Sequence, residues 1–485
     1  MRNERAVASV GVALLLASWS ADALAKDVPV GTATELTSAI AAAQPGDRII
    51  LADGTYALTN NVNCNAVGTA QAPITVVAKN PLAAKITFDA LEGFKVNGPY
   101  WHFEGLDVKG ICPNDSDCEH AFHVSGAAKF FSLRLSRVVD FNAQIKVNAN
   151  QIATVWTTPD DGLVEGNELF DTKARNTSNP TTKINIDTGD RWIVRANYIH
   201  DYQKGGGDGV SYAAFMKSGG KAGTFERNLV VCAKDFTGGT RIGLSFGGGG
   251  TANQFCAPAY DVNTPCDPEH EGGTMRNNII ASCSDVGIYL NKAKNTKVLF
   301  NTLIGTSGID FRFASTTGVA VGNVLDGKIR PRDGGTFTGS ENLESFGSFA
   351  ALYQAPLVGD LRKKGDLSAL LGKGTARPDV PNDYCSRTRT GAYDLGALQA
   401  SLGDCVTVPP PLGTPTPPVD DGGVVPGDGG GVPPGSDGGP NGVNPTNESG
   451  CGCVTGAGAG GGAGAGGGAA ASLLMLAFFR RRRRR

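Results

Sequence analysis

A recurring asparagine limits what this chain can fold into more than any other feature. Asn278 in "RNNII", Asn301 in "FNTLI" and Asn323 in "GNVLD" stand 23 and 22 residues apart, each followed by a short apolar run. Asn167 in "GNELF", Asn197 in "ANYIH" and Asn228 in "RNLVV" repeat the unit at 30 and 31 residues, so longer loops are expected there. A period of this length marks a solenoid, whose repeats bury apolar surface only against their neighbours. Helical repeats are longer and need a sustained 3.6-residue pattern. These segments are short, rich in Val, Ile, Phe and Thr, and broken by Gly, so they read as strands. Two or three strands per turn, stacked at about 4.8 Å, give an all-β, parallel β-helix. Asn and Gly suit its corners because both tolerate left-handed backbone.

Aligning one strand from each coil gives Ile145-Lys146-Val147-Asn148, Ile184-Asn185-Ile186-Asp187, Ala214-Phe215-Met216-Lys217, Ile242-Gly243-Leu244-Ser245, Ile288-Tyr289-Leu290-Asn291, Ile309-Asp310-Phe311-Arg312 and Ile329-Arg330-Pro331-Arg332. Strand side chains alternate, so the apolar first and third positions face the core. Ile145, Ile184, Ile242, Ile288, Ile309 and Ile329 are thus expected in one inward ladder. The second and fourth positions face outward in two columns, one from Lys146 to Arg330, the other from Asn148 to Arg332. Between Asn228 and Asn278 the period is broken by "FGGGGTANQFCAPAYDVNTPCDPEHEGG" (246–273), a glycine-rich excursion whose Glu269, His270 and Glu271 are expected to overhang the face. Long loops on a rigid scaffold are where recognition concentrates.

The ends speak to location. Arg2 and Arg5 precede an apolar run from Val7 to Ala17, and Ala23-Leu24-Ala25 supplies small residues for cleavage, which predicts a signal peptide over 1–25. A β-helix domain over 26–406 follows, with a Pro/Gly-rich linker over 407–450 that cannot bury a core. Residues 451–485 hold Cys451-Gly452-Cys453, a Gly/Ala stretch, the apolar cluster 473–479 and six terminal arginines. This order resembles the C-terminal sorting tails of myxobacterial surface proteins, which implies a partner sorting machinery and a cell-surface or released product. With 44 basic against 46 acidic side chains, no field favours nucleic acid. Of eleven cysteines two lie in the tail; among the other nine, Cys112 with Cys118, Cys256 with Cys266, Cys385 with Cys405 and Cys232 with Cys283 are candidate pairs, leaving Cys64 over. That number suits an oxidising compartment.

Residues 32–56, "TATELTSAIAAAQPGDRIILADGTY", read as a short amphipathic helix with Leu36, Ile40 and Ala43 on one face, then a strand from Arg48 to Leu51. Such a helix covers the open end of a solenoid. "PGDRIILADGTY" resembles the opening of secreted right-handed β-helix proteins of the pectate-lyase-like superfamily, in particular the group of chondroitinase B and the family-six alginate lyases. "DYCSRTRTGAYDLGALQ" (383–399) is similar to the closing segment of such chains.

In that group a lysine followed by serine on one coil acts with an arginine on the next, near a calcium held by acids. "FMKSGG" resembles the first motif and "TRIGLSF" the second. The resemblance implies Lys217 as base, Arg241 as its carboxylate or leaving-group partner, and Ca2+ as a candidate cofactor. The family's pair of glutamates before the lysine is missing here, Asp208 being the acid nearest to it on that side. Tyr289, Asn291, Asp310, Arg312, Arg330 and His270 are the expected substrate contacts. His123 in "DCEHAFHV" is a second candidate base.

An acidic polysaccharide suits such a face. Eliminating across a uronate needs a cation against the carboxylate and a base within reach of the C5 proton. Hydrolysis would require paired carboxylates on successive coils, whereas Asp187 and Asp310 stand alone in the columns. The sequence therefore favours an exported monomeric polysaccharide lyase, ahead of a noncatalytic glycan-binding or adhesive solenoid and a structural surface protein, since one fold hosts all three.

Overall fold

The period seen in the sequence becomes a right-handed parallel β-helix. The computed structural model describes residues 26–407 apart from position 249; the predicted signal peptide, the tail and all but the first residue of the linker lie outside the described residues. Among these, three long parallel sheets of twelve, ten and ten strands form the walls. One coil runs from the twelve-stranded sheet (Leu163–Glu165), through a corner into a ten-stranded sheet (Glu168–Phe170), and on to the other ten-stranded sheet (Thr181–Asp187), here called the front sheet. Helix Ala33–Ala41 covers the N-terminal end. It carries a capping box between Thr32 and Glu35 and buries Leu36 and Ile40.

The recurring asparagines are the spine of the first corner. Asn167, Asn197, Asn228, Asn278, Asn301 and Asn323 are all buried. Each Oδ1 from Asn197 to Asn323 accepts the backbone N–H and the Nδ2 of the ladder asparagine before it, at 2.9–3.1 Å. The left-handed backbone expected of these asparagines falls instead on the residue before each one: Gly166, Ala196, Arg227, Asn277, Phe300 and Gly322 have φ between 51° and 70°. Asparagine is selected here for an amide that donates and accepts at once, and its neighbour absorbs the turn.

The outer surface of the twelve-stranded sheet carries a second ladder. Glu104, Arg134, Glu165, Arg195, Glu226 and Arg276 lie in register on successive strands and alternate in sign. Their N–O distances run from 2.5 to 3.9 Å. Exposed pairs of this kind contribute about 0.2–1 kcal/mol each.

On the front sheet the inward ladder runs Ile145, Ile184, Ala214, Leu244, Ile288, Ile309, Ile329. Leu244 takes the place expected for Ile242, which pairs with Tyr212 and packs with Phe215, Val286 and Tyr289. Strict alternation fails because two consecutive residues turn inward at this point: Lys183 and Ile184 are both fully buried, as are Ala213 and Ala214. In the next coil Gly243 stands at that bulge, where a Cβ would come within 2.9 Å of Ile280. The outward columns shift accordingly, so Ser245, not Gly243, follows Phe215. Truncating Ile309 to Ala is expected to cost about 2–5 kcal/mol in thermal or denaturant unfolding. All four predicted disulfides are present, and Cys64 is free and buried.

Candidate functional site

The outer face of the front sheet carries an open polar strip. Its first column continues upstream of the predicted one as Lys95, His123, Lys146 and Asn185; its second runs Asn97, Ser125, Asn148, Asp187 and Lys217. Asp187 is the centre. Lys146 Nζ donates to it and to Asn185 Oδ1 (3.2 Å), while Lys217 Nζ lies 3.1 Å from its other oxygen. Burial alone would raise the Asp187 carboxyl, yet the two lysines bring it down to about 2. One coil upstream of Lys146, His123 Nδ1 is 2.6 Å from Glu92 and Nε2 is 2.7 Å from Asn148 Oδ1. Asn148 turns its Nδ2 to the Ala149 carbonyl (2.9 Å), so its Oδ1 faces the His123 ring. Burial opposes the charge on Glu92, but His123 and Lys95 hold this carboxyl at about 2. The strip presents Lys95, Lys146 and Lys217 against the two carboxylates Glu92 and Asp187.

Loops border the strip on both sides. At the ends of the strands, hairpin 150–157 meets the disulfide loop 256–266, and Trp156 stacks on Tyr260 at 4.3 Å and 5°. At their beginnings, segments 112–119, 171–180 and 201–209 are joined by Ser116 to Thr177 (3.0 Å) and by the Arg175–Lys204 bridge.

The predicted site residues separate into three places. Lys217 lies in the strip. Tyr289, Asn291, Asp310, Arg312 and Arg330 gather further along the same sheet, where Arg312 Nη1 donates to the Tyr289 hydroxyl (3.0 Å), as does Asn291 Nδ2 (3.2 Å). Asp310 is buried beneath Arg330 and Arg332. Arg241 and His270 reach neither group. Arg241 is fully buried six residues before the level of Lys217, because its partner is Ser211, and it donates to the carbonyls of Gly238, Cys232 and Phe236 and to Gln203. A side chain so enclosed cannot meet a polymer.

His270 does not overhang the face either. It sits in a three-stranded corner sheet with its ring stacked on Phe246 at 4.2 Å. Glu269 is buried too, accepting from Ser218 N–H and Thr251, and Glu271 pairs with Lys294 at 3.5 Å. Glu92, Lys95 and the placement of His123 were missed, although Phe94-Lys95-Val96-Asn97 and Phe122-His123-Val124-Ser125 repeat the apolar-polar alternation already used downstream.

Calcium takes six or more oxygen ligands. Among the described residues, the ligand-type side chains that converge are His200, Asp201 and Asp235, away from the strip. They do not fit the ion: His200 Nδ1 is bound to Asp201 at 2.8 Å, and the other Asp201 oxygen accepts the N–H groups of Lys234 and Asp235.

These environments set an acid response. Burial pushes His270 down to about 3, whereas an unfolded histidine titrates near 6.5. Below pH 6.5 the unfolded chain binds the extra proton, so stability falls as pH drops from 6.5 towards 3. Glu92 and Asp187, held at about 2, add a loss below about pH 4, as the folded carboxylates protonate later than the unfolded ones. Burial also pushes His120 down to about 3, so melting temperature measured from pH 7 to 2 is expected to fall along both limbs, and His270→Leu is expected to make the first limb shallower without removing it. An unchanged first limb in that variant would refute the assignment.

A family model described as "Pel9A-like, right handed beta helix region" matches residues 18–173. That span includes Glu92, Lys95, His123 and Lys146. Pectate lyase L of Dickeya chrysanthemi is 37% identical over 86 residues, covering 15% of this chain and 20% of that protein, and its Dickeya dadantii counterpart is 36% identical over 86 residues. The chain thus spans about a fifth of the length of these curated relatives. The crystal structure of pectate lyase Pel9A aligns over 77% of this chain and 96% of its own at 15% identity, with a TM-score of 0.41.

Proposed function

We propose that the protein is exported and works at the cell surface on an acidic polysaccharide, which lies along the front sheet and is cleaved by β-elimination at a uronate. The observation that carries this reading is the excess of cations over carboxylates on an open strip of a rigid sheet. Its first residues fall within the segment similar to pectate-lyase β-helix regions. Cations against a uronate carboxylate stabilise the charge that builds there when the C5 proton leaves. Lys217 takes that proton; the C4–O4 bond breaks, the leaving oxygen takes a proton from water, and a 4,5-unsaturated uronate results. The Pro/Gly-rich linker and the basic C-terminal tail support the surface location.

One observation favours a second reading, a noncatalytic glycan-binding solenoid. Both lysines are spent as ammonium donors on Asp187, and Lys217 also donates to the Gly250 carbonyl at 2.9 Å. Incubation with pectate, alginate and chondroitin decides between them. A lyase yields product absorbing in the ultraviolet, and Lys217→Ala abolishes it while the variant still unfolds cooperatively, since Asp187 keeps Lys146 as a partner. Saturable binding without product would establish the second reading.

A further inference from the structure

The front sheet ends downstream at strand Lys328–Arg332. Its outward side chains Arg330 and Arg332 converge on one carboxylate in the coil before: Arg330 Nε donates to Asp310 Oδ1 at 2.6 Å, and Arg332 Nη1 donates to Oδ2 at 2.5 Å. The Asp310 side chain is 1% exposed, whereas those of the two arginines are 39% and 42% exposed. One carboxylate against two guanidiniums leaves a positive charge at the surface. Each arginine also keeps a complete pair of donors. Among the described residues, nothing accepts from Nη1 and Nη2 of Arg330 or from Nε and Nη2 of Arg332. These are the end edge of one guanidinium and the side edge of the other, and either edge grips an oxyanion with two parallel hydrogen bonds. The buried carboxylate fixes where they point, so little ordering remains for a ligand to impose. Arg312 beside them is already committed, to Asp333 at 2.5 Å and to the Tyr289 hydroxyl at 3.0 Å.

Protection of the sheet edge does not account for the pair. Charged residues on a terminal strand discourage pairing with another chain, but this edge is closed by other means. The Lys328 N–H turns to Ser307 of the coil before, so alternation leaves Ile329 and Pro331 facing the open side. Glu344 accepts from the Ile329 N–H at 2.9 Å, and Pro331 has none to offer. Neither guanidinium takes part.

We infer that Arg330 and Arg332 form a second binding site on the front sheet, one that takes a carboxylate of an acidic glycan. Four inter-strand steps separate its strand from Val210–Lys217, a distance of about 19 Å. A glycan chain long enough to span it holds both places at once, whereas a short fragment holds one. The inference rests on the acidic-polysaccharide reading but not on catalysis, since a second foothold for long polymers serves a lyase and a binding protein alike.

The experiment is calorimetry of the full chain with polygalacturonate and with alginate, each as long polymer and as trisaccharide. The wild type is expected to bind two trisaccharides per chain. The triple variant Asp310→Asn, Arg330→Gln, Arg332→Gln removes the three charges together, so no buried carboxylate is stranded, and is expected to bind one. It is also expected to bind the polymer at least about tenfold more weakly, because linking two sites raises affinity by more than that through effective concentration. Arg332→Gln alone leaves Arg330 on Asp310 and is expected to show part of the polymer loss; it carries the same comparison if the triple variant does not fold. One trisaccharide per wild-type chain, or polymer affinity indifferent to these variants, would overturn the inference while leaving the strip's glycan reading intact. No binding of either glycan at any length would remove both.

Discussion

Replacing Asn228 with alanine is expected to lower stability by about 2–5 kcal/mol, enough to deplete folded protein at physiological temperature. The amide is fully buried and bonded on every side: its Oδ1 accepts from the backbone and side chain of Asn197, and its Nδ2 donates to the Val194 carbonyl and to Asn278 at 2.9 Å each. Alanine leaves at least one N–H and one carbonyl orphaned inside the solenoid, each costing about 1–3 kcal/mol. Asn228→Asp offers a sharper test. It keeps the acceptor, loses both donors and buries a carboxylate, so at pH 7 it is expected to be worse than alanine. On acidification the new carboxyl protonates and regains one donor, so the aspartate variant should recover relative to alanine as pH falls. Chemical denaturation of both variants at pH 7 and pH 5 gives the answer; a loss under about 1 kcal/mol for alanine would mean the amide chain is incidental.

Arg241→Ala is expected to be comparably damaging, and to act through folding alone. The guanidinium makes hydrogen bonds of 2.6–3.0 Å to three carbonyls and to Gln203 Oε1, with its plane against Phe236 at 4.9 Å. Loss of the fork strands those acceptors and leaves a cavity, for a cost on the order of 4 kcal/mol. Lysine, a point donor, cannot span the same acceptors, so Arg241→Lys is expected to recover less than half of the loss. Thermal unfolding measures the effect. Glycan binding assayed well below the melting point should be unchanged in Arg241→Lys. A variant that melts like the wild type but no longer binds would return Arg241 to the site.

The fold was legible because the solenoid writes its period into the sequence twice, once in the corner asparagines and once in the apolar positions of the front strands. The capping helix and three of the disulfides followed from local spacing, and Cys232–Cys283, 51 residues apart, from its expected role as a staple between neighbouring layers. What failed was phase and depth. Ile242 and Leu244 are both aliphatic, and only the inward double step at Ala213 and Ala214 decides which one faces the core. "TRIGLSF" resembles a catalytic motif as text, but the same slip carries Arg241 past the end of the face and into the interior. His270 was expected in an overhanging loop, while the short pairing of Gly220-Lys221 with His270-Glu271 draws it into the wall. The strip was only half legible because its columns were begun at Lys146, one coil below His123 and two below Lys95.

The alternating ladder of Glu104, Arg134, Glu165, Arg195, Glu226 and Arg276 places a parity rule on how this solenoid can grow. Deleting or duplicating a single coil within it would bring two arginines or two glutamates face to face at inter-strand distance, whereas removing or adding two coils restores every pairing. Viable length variants of this region, natural or engineered, are therefore expected to differ by even numbers of coils, and an odd change should be tolerated only when it brings a compensating charge reversal.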